Sequence, residues 1–346
     1  MRFGTFHLLG SPDMAPAERR FDETIEQIAL AEELGFDSVW VAEHHFSNYG
    51  YSANPLLLIA KASAVTSRVR FSQAVIVAPF YHPLRLAEDI AITDLLTHGR
   101  LEVGLGRGYQ PMEFRGFNVS LADSRGMFEE QVELMRKAWT ASDFTYSGRF
   151  YNLPDPITVL PKPLQQPHPP VWIACQSDTS LEWAATHDCN VLVSGSSASW
   201  KQVGAWAQRL VELRPPDQHP ARLAMMRHTY VTPTEDEARA AAWQSRWQRT
   251  VAEVLRTDKQ RITAGKNDVS GFEPSTSEEE AWERLIYGTP ERCIEQVRRQ
   301  SALGVTDTVL WFDIGGVSSD AVMRSMRLFA QEVMPAVKGI DAAVGV

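Results

Sequence analysis

Short apolar runs alternate along the chain with longer stretches whose apolar positions recur at helical spacing, the pattern of buried strands joined by amphipathic helices. Strands are predicted at Arg2–His7, Ser38–Ala42, Arg70–Val75, Leu101–Gly106, Val171–Ala174, Asn190–Val193, Leu223–Val231 and Thr308–Phe312. Helical patterns fall at Phe21–Leu34, Pro55–Val65, Leu84–Leu96, Ser124–Ala141, Ser180–Thr186, Ser199–Leu213, Glu235–Arg256, Pro290–Ala302 and Ser319–Val333. Within the first, Ile25, Ile28, Ala29 and Leu34 share one face and Gly35 is a stop signal. Thr289-Pro290-Glu291 combines a capping hydroxyl, a first-turn proline and an acid, a good helix start.

Eight strands alternating with helices predict an α/β fold, a single (β/α)8 TIM barrel over residues 1–346. A plain barrel needs about 250 residues, which leaves room for insertions. Residues 144–170, rich in proline and aromatics, are expected to insert a small hairpin. Residues 257–288 show little apolar periodicity and carry an acidic trio, Glu278, Glu279 and Glu280. They read either as a lid segment or as a surface excursion. An open doubly wound sheet is disfavoured because no glycine-rich dinucleotide fingerprint follows the first strand.

Composition narrows the function. The 346 residues are 44% hydrophobic and 22% charged, ordinary for a globular enzyme, and the net charge of −9 argues against nucleic acid or an anionic membrane as partner. No apolar run approaches the ~20 residues of a membrane span, and the N-terminus reads as a strand rather than a signal peptide. Cys175, Cys189 and Cys293 lack metal-ligand spacing and fit reduced thiols of a cytoplasmic protein. No metal site is expected, since neither His-Glu-x-x-His nor paired Cys-x-x-Cys occurs.

Candidate chemistry gathers at strand ends. Val39-Trp40-Val41-Ala42 runs into Glu43-His44-His45-Phe46. Neighbours on an extended chain point in opposite directions, so at most one of the two imidazoles should face a given cavity. The plainer reading makes both structural. Gly104, Gly106 and Gly108 flank Arg107, leaving room for a flat or phosphorylated ligand near the backbone, or simply making a tight turn. After the fifth strand, Gln176-Ser177-Asp178-Thr179-Ser180 leads into a helix, where the serines can cap the helix or help bind an anion. Ala74 and Val75, at the end of the third strand, offer an apolar shelf for a planar ring or ordinary barrel packing. Trp243 and Trp247 read as packing residues.

Taken together, these stretches resemble the bacterial luciferase-like family of flavin-dependent monooxygenases. The likeness rests on Gly35–Trp40 running into Glu43–Phe46, on His82-Pro83 with Ala87-Glu88-Asp89, and on Gly99-Arg100. It extends through Gly106-Arg107-Gly108 with Glu113-Phe114, Ser177-x-x-Ser180, Gly288–Glu291 and the ending Phe329-x-x-Glu332-Val333-Met334-Pro335. The resemblance implies a (β/α)8 barrel that uses reduced FMN, supplied by a separate reductase, to insert oxygen into a small organic substrate through a flavin hydroperoxide. It implies that Arg107, Gln176, Ser177 and Ser180 contact the FMN phosphate. It further implies a non-prolyl cis peptide at Ala74–Val75 against the flavin ring, beside Gly106, with His44 as the catalytic imidazole and His45 structural. A homodimer through the helices after the second and third strands is also implied, and Leu56–Ile59 and Ile90–Leu96 are apolar enough for it.

Three departures stand out. Gly106 and Gly195 replace the cysteine and tryptophan of light-emitting members, and Gln176 replaces a glutamate. The smaller residues are expected to widen the pocket for a bulkier substrate and to disfavour light emission. Two rival readings stay open: a deazaflavin-dependent hydride-transfer oxidoreductase, and a non-catalytic flavin-binding subunit.

Overall fold

The structure, a computed structural model, describes residues 1–194 and 198–339. Its strands are β1 (Arg2–His7), β2 (Ser38–Val41), β3 (Arg70–Gln73), β4 (Ile76–Val77) and β5 (Val103–Gly106), then the pair β6 (Phe144–Ser147) and β7 (Asn152–Ile157). There follow β8 (Val171–Ala174), β9 (Asn190–Ser194), β10 (Leu223–Val231), the short pair β11 (Ile262–Thr263) and β12 (Lys266–Asn267), β13 (Ile286–Gly288) and β14 (Asp307–Trp311).

The main sheet runs β3-β2-β1-β14-β10-β9-β8-β5-β4, with parallel pairing along this path. A parallel bridge between Phe71 and Leu101 joins β3 to the start of the β5 segment and closes the cylinder. All eight predicted barrel strands are present. The third is interrupted: β3 stops at Gln73 and β4 resumes at Ile76, on either side of the cis Ala74–Val75 peptide. These runs are rich in Val, Ile, Leu and aromatics because helices cover the outside of a parallel sheet while side chains fill its inside. Leu223 and Met225 pack outward with Val191 and Val193, while Ala224 packs inward with Trp40 and Trp172.

Differences from the sequence reading have local causes. The helical stretch 235–256 is two helices, Glu235–Gln244 and Arg246–Val254, parted at buried Ser245, whose hydroxyl donates to the Ala242 carbonyl at 2.7 Å. Trp243, expected in the core, is 60% exposed, its ring covered by the Arg246 guanidinium. Ser319–Val333 is α-helical to Leu328 and widens into a π turn over Phe329–Val333. Within 144–170, β6 and β7 form the expected antiparallel hairpin. Within 257–288 the acidic trio is not irregular: it is the first turn of helix Glu278–Arg284. Ser277 Oγ accepts from the Glu280 N–H at 3.2 Å and Glu280 Oε2 accepts from the Ser277 N–H at 3.1 Å. Three carboxylates at a helix N-terminus offset its positive end. No helix of the described residues is long and apolar enough to cross a membrane.

The end of the barrel away from the loops is plugged by charge. Glu102 accepts from Arg70 Nε at 2.6 Å, Arg222 Nη1 at 3.0 Å and Trp172 Nε1 at 2.6 Å, and Arg222 also pairs with Asp307. The Arg222 guanidinium lies 4.6 Å from the Trp172 ring centroid. Burial alone would raise the Glu102 pKa, but Arg222 and Arg70 beside it hold it below 4.5. Its contribution is therefore complete above about pH 4.5 and lost as pH falls through its folded pKa. Glu102→Gln, which leaves two guanidinium groups facing a neutral amide, is expected to cost about 3 kcal/mol in urea unfolding at pH 7. The gap between variant and parent should narrow on acidification; a gap that is absent, or independent of pH, would refute this role.

Candidate active site

Parallel strands deliver all their C-terminal ends to one rim, and a cavity of about 780 Å³ opens there. It is lined by the residues expected to act in catalysis or cofactor binding: His44, Ala74, Val75, Gly106, Arg107, Gln176, Ser177 and Ser180.

One end of the cavity is built from the turns after β5 and β8, which pair directly through Leu105 and Ile173. Arg107 leaves β5 beside Gly106 and donates from Nη1 to Ser124 Oγ at 3.3 Å; among the described residues no carboxylate reaches it. Across from it, Ser177 caps helix Asp178–Thr186 in a capping box with Ser180. Ser180 Oγ takes the Gln176 and Ser177 N–H groups at 3.3 and 3.2 Å. The serines thus cap the helix, and they also present hydroxyls and a positive helix end to the cavity. Arg125, which the sequence reading missed, ties this end together: its Nη2 reaches the Thr179 carbonyl at 3.5 Å and its Nε pairs with Glu129 at 2.8 Å. Opposite, Gln176 Oε1 accepts from Arg256 Nη1 at 2.9 Å, and that guanidinium lies 4.7 Å from the Tyr109 ring centroid. Arg256 reaches across the mouth from the segment leading into residues 257–288.

The middle wall is apolar. Ala74 and Val75 flank Gly106, and a Cβ added at Gly106 would lie 2.5 Å from Val75 Cγ2 and 3.7 Å from the Ala174 Cβ. Val75 therefore already occupies the space that a side chain at position 106 would need. The expectation that Gly106 widens the pocket is corrected on this point. Gly195, the other small residue behind that expectation, lies outside the described residues. Cys175 also lines the cavity, but burial pushes its thiol up to about 12, so it remains protonated and inert.

The imidazoles divide as alternation requires. His44 lines the cavity, whereas His45 turns away, 4.7 Å from the Phe117 ring and 5.7 Å from Phe80, with Nε2 2.9 Å from Glu43 Oε1. His44 Nδ1 lies 3.1 Å from Glu113 Oε1 and 2.8 Å from Gln110 Nε2. The two neighbours make opposite demands, since the carboxylate favours a proton on Nδ1 and the amide N–H favours a bare nitrogen. Glu113 Oε1 also accepts the His45 N–H at 2.9 Å, which fixes the carboxylate. Tyr49 packs edge-on against the His44 ring at 4.7 Å, and burial holds its phenol and that of Tyr109 above the ordinary range.

Sequence reasoning missed Arg125, Glu113, Gln110, Tyr49, Tyr109 and Arg256. Of these, Glu113 belonged to a quoted motif and Tyr109 and Gln110 directly follow Gly106-Arg107-Gly108, whereas Tyr49, Arg125 and Arg256 are brought to the site by tertiary packing. Among the described residues no group of three or more His, Cys, Asp or Glu side chains is arranged to hold a metal ion. The donor set fits a phosphorylated planar cofactor instead: a guanidinium without a carboxylate partner, hydroxyls at a helix start, and a flat apolar wall beside them.

Known proteins share this arrangement of strands. The oxygenase component of a flavin-dependent trigonelline monooxygenase from Acinetobacter baylyi is 29% identical, over 97% of this chain and 95% of its own. The crystal structure of monooxygenase RslO1 from Streptomyces bottropensis superimposes with a TM-score of 0.86 at 30% identity, covering 97% of this chain and 99% of that one. The oxygenating constituent of 3,6-diketocamphane monooxygenase from Pseudomonas putida, in complex with FMN, shares the fold with a TM-score of 0.75 at 19% identity, covering 97% and 98%. The family model described as luciferase-like monooxygenase matches residues 1–307, and the chain belongs to that family.

Proposed function

We propose that this chain is the oxygenase component of a two-component system, taking reduced FMN from a separate reductase and inserting one oxygen atom of O2 into a small organic substrate. The observation that carries this reading is the meeting, on one rim, of Arg107 without a carboxylate partner, the Ser177–Ser180 helix start and the flat Ala74–Val75–Gly106 wall. Arg107, Gln176, Ser177 and Ser180 hold the phosphate, with Arg125 and the helix end adding positive potential. Ala74, Val75 and Gly106 back the ring. Reduced FMN supplies the electrons that activate dioxygen.

The protein does the rest. His44, set between Glu113 and Gln110, moves a proton at the reacting end of the cavity. Residues 257–288 contribute Pro274, Ser275, Thr276, Ala281 and Leu285 to the cavity wall, and they shield it from water as a lid. The family membership and the name of the Acinetobacter relative support a monooxygenase acting with flavin.

The helices Pro55–Ser63 and Pro83–Leu96 pack side by side and expose Leu57 (70%), Ile92 (41%) and Leu96 (53%). We assign this face to a second copy of the chain. Leu57→Glu is expected to convert a dimer into a monomer in sedimentation velocity; a parent that sediments as a monomer would refute the assignment.

Arg107→Ala is expected to weaken FMN binding by about tenfold or more, the value of a charge-assisted contact, while leaving riboflavin, which lacks the phosphate, unaffected. Equal losses for both ligands, or none, would refute the phosphate site. A parent that binds neither FMN nor riboflavin yet binds a deazaflavin would replace the cofactor. His44→Ala should leave FMN affinity unchanged and lower substrate-dependent oxygen uptake by about a hundredfold. An unaltered rate would remove His44 from the chemistry, and a parent that binds FMN but never couples oxygen uptake to any substrate would make the chain a non-catalytic subunit.

A further inference from the structure

We propose that the wall of the cavity formed by β10 and the helix Arg246–Val254 is a subsite for a carboxylate on the substrate, held by Arg249 and His228, so that the substrate is a compact organic acid. The proposal rests on the oxygenase reading above and narrows its substrate.

Strand alternation aims Met226 and His228 of β10 into the barrel, where the His228 ring stands edge-on to Trp311 at 4.3 Å. His228 is 6% exposed and lines the cavity, yet no described residue hydrogen-bonds either ring nitrogen, and Nδ1 is fully buried without a partner. The other ring nitrogen, Nε2, is neither sealed in nor bonded, and on a cavity-lining ring it is the atom a ligand can complete. Burial, followed by the nearby Arg249 and Arg227, pushes its pKa down to about 3. The ring is therefore neutral at pH 7 and offers one N–H donor.

Arg249 comes from the facing helix. Arg249, Ala252, Glu253 and Arg256 all line the cavity, at the spacing of one helical face. The Arg249 side chain is only 11% exposed; Nη2 donates to Glu278 Oε2 at 2.7 Å and to the Ala242 carbonyl at 3.4 Å, Nε is sealed in with no partner, and Nη1, which no described residue hydrogen-bonds, is the donor left for a ligand. An N–H of a cation and an N–H of a neutral imidazole, both unfilled, suit the two oxygens of one carboxylate.

The wider charge distribution agrees. Each carboxylate lining the cavity is engaged: Glu43 with His45, Glu113 with His44, Glu129 with Arg125, and Glu253 with the Ser275 N–H at 2.9 Å. Arg256 and Arg284, lining the same cavity, have no carboxylate within ion-pairing distance among the described residues. In a chain of net charge −9, this enclosed surplus of cations favours an anionic guest. Phe6, Met226, Leu285 and Trp311 supply the apolar wall beside the donors and call for a hydrophobic body.

The test is calorimetric titration of the FMN-saturated protein with benzoate, phenylacetate and hexanoate, each against its matched carboxamide. Filling the phosphate end with FMN leaves the new subsite as the anion site being read. At least one acid should bind about tenfold or more tightly than its amide, with an affinity that falls as salt is added. His228→Phe, which retains a ring against Trp311, and Arg249→Gln should each reduce that preference by about tenfold while leaving FMN affinity unchanged. Should Arg249→Gln unfold through loss of its Glu278 contact, His228→Phe decides alone. No preference for any acid, or a preference that survives His228→Phe, overturns the proposal. So does a preference that disappears only with Arg107→Ala. Failure of FMN to bind would be visible before any acid is added and would fall on the cofactor reading instead; the same titration without FMN then reads the acid subsite by itself.

Discussion

Parallel closure of the barrel is the constraint on which everything else depends. Because the barrel strands run the same way, the turns after β2, β4, β5, β8 and β10 must emerge on one rim, however far apart they lie in sequence. Arg107 and Ser177, seventy positions apart, are neighbours for that reason alone. At the other end the same closure drives Glu102, Arg222 and Asp307 into a buried ion cluster beneath Trp172. The two ends divide the labour: a satisfied charge network closes the cylinder below, while donors with open valences face the cavity above.

The distribution of cations separates the roles within the cavity. At the β5–β8 end, Arg107 and Arg125 stand near hydroxyls and a helix start, an arrangement suited to a phosphate. Near the His44 end, the imidazole is tied to one carboxylate and one amide. At the β10 wall, Arg249 and a neutral His228 are set among aromatic and apolar side chains. One acidic chain thus sets two groups of cationic side chains and an imidazole around the same cavity.

Much of this was legible in the sequence. The strands were, because runs such as Val39-Trp40-Val41 are too apolar to be anything but covered on both faces. That at most one of His44 and His45 faces the cavity followed from alternation, and the family resemblance picked out His44. Other features depended on packing that no spacing encodes. Arg125, Arg256 and His228 look like unremarkable residues of a helix or strand until tertiary contacts turn them toward the cavity. The effect of Gly106 was misread because the space it leaves is taken by Val75, which lies thirty-one positions earlier. Residues 257–288 hid a helix whose Ser277-x-x-Glu280 start was readable but followed by too short an apolar pattern to be noticed.

The central claim, that one rim holds a flavin phosphate between Arg107 and the Ser177–Ser180 helix start, is tested most directly by a crystal structure with FMN bound. The account requires the phosphate within hydrogen-bonding distance of the Arg107 guanidinium and the Ser177 and Ser180 hydroxyls, with the ring against Ala74, Val75 and Gly106. A phosphate bound instead at the Arg249 wall, or outside the cavity, would contradict it.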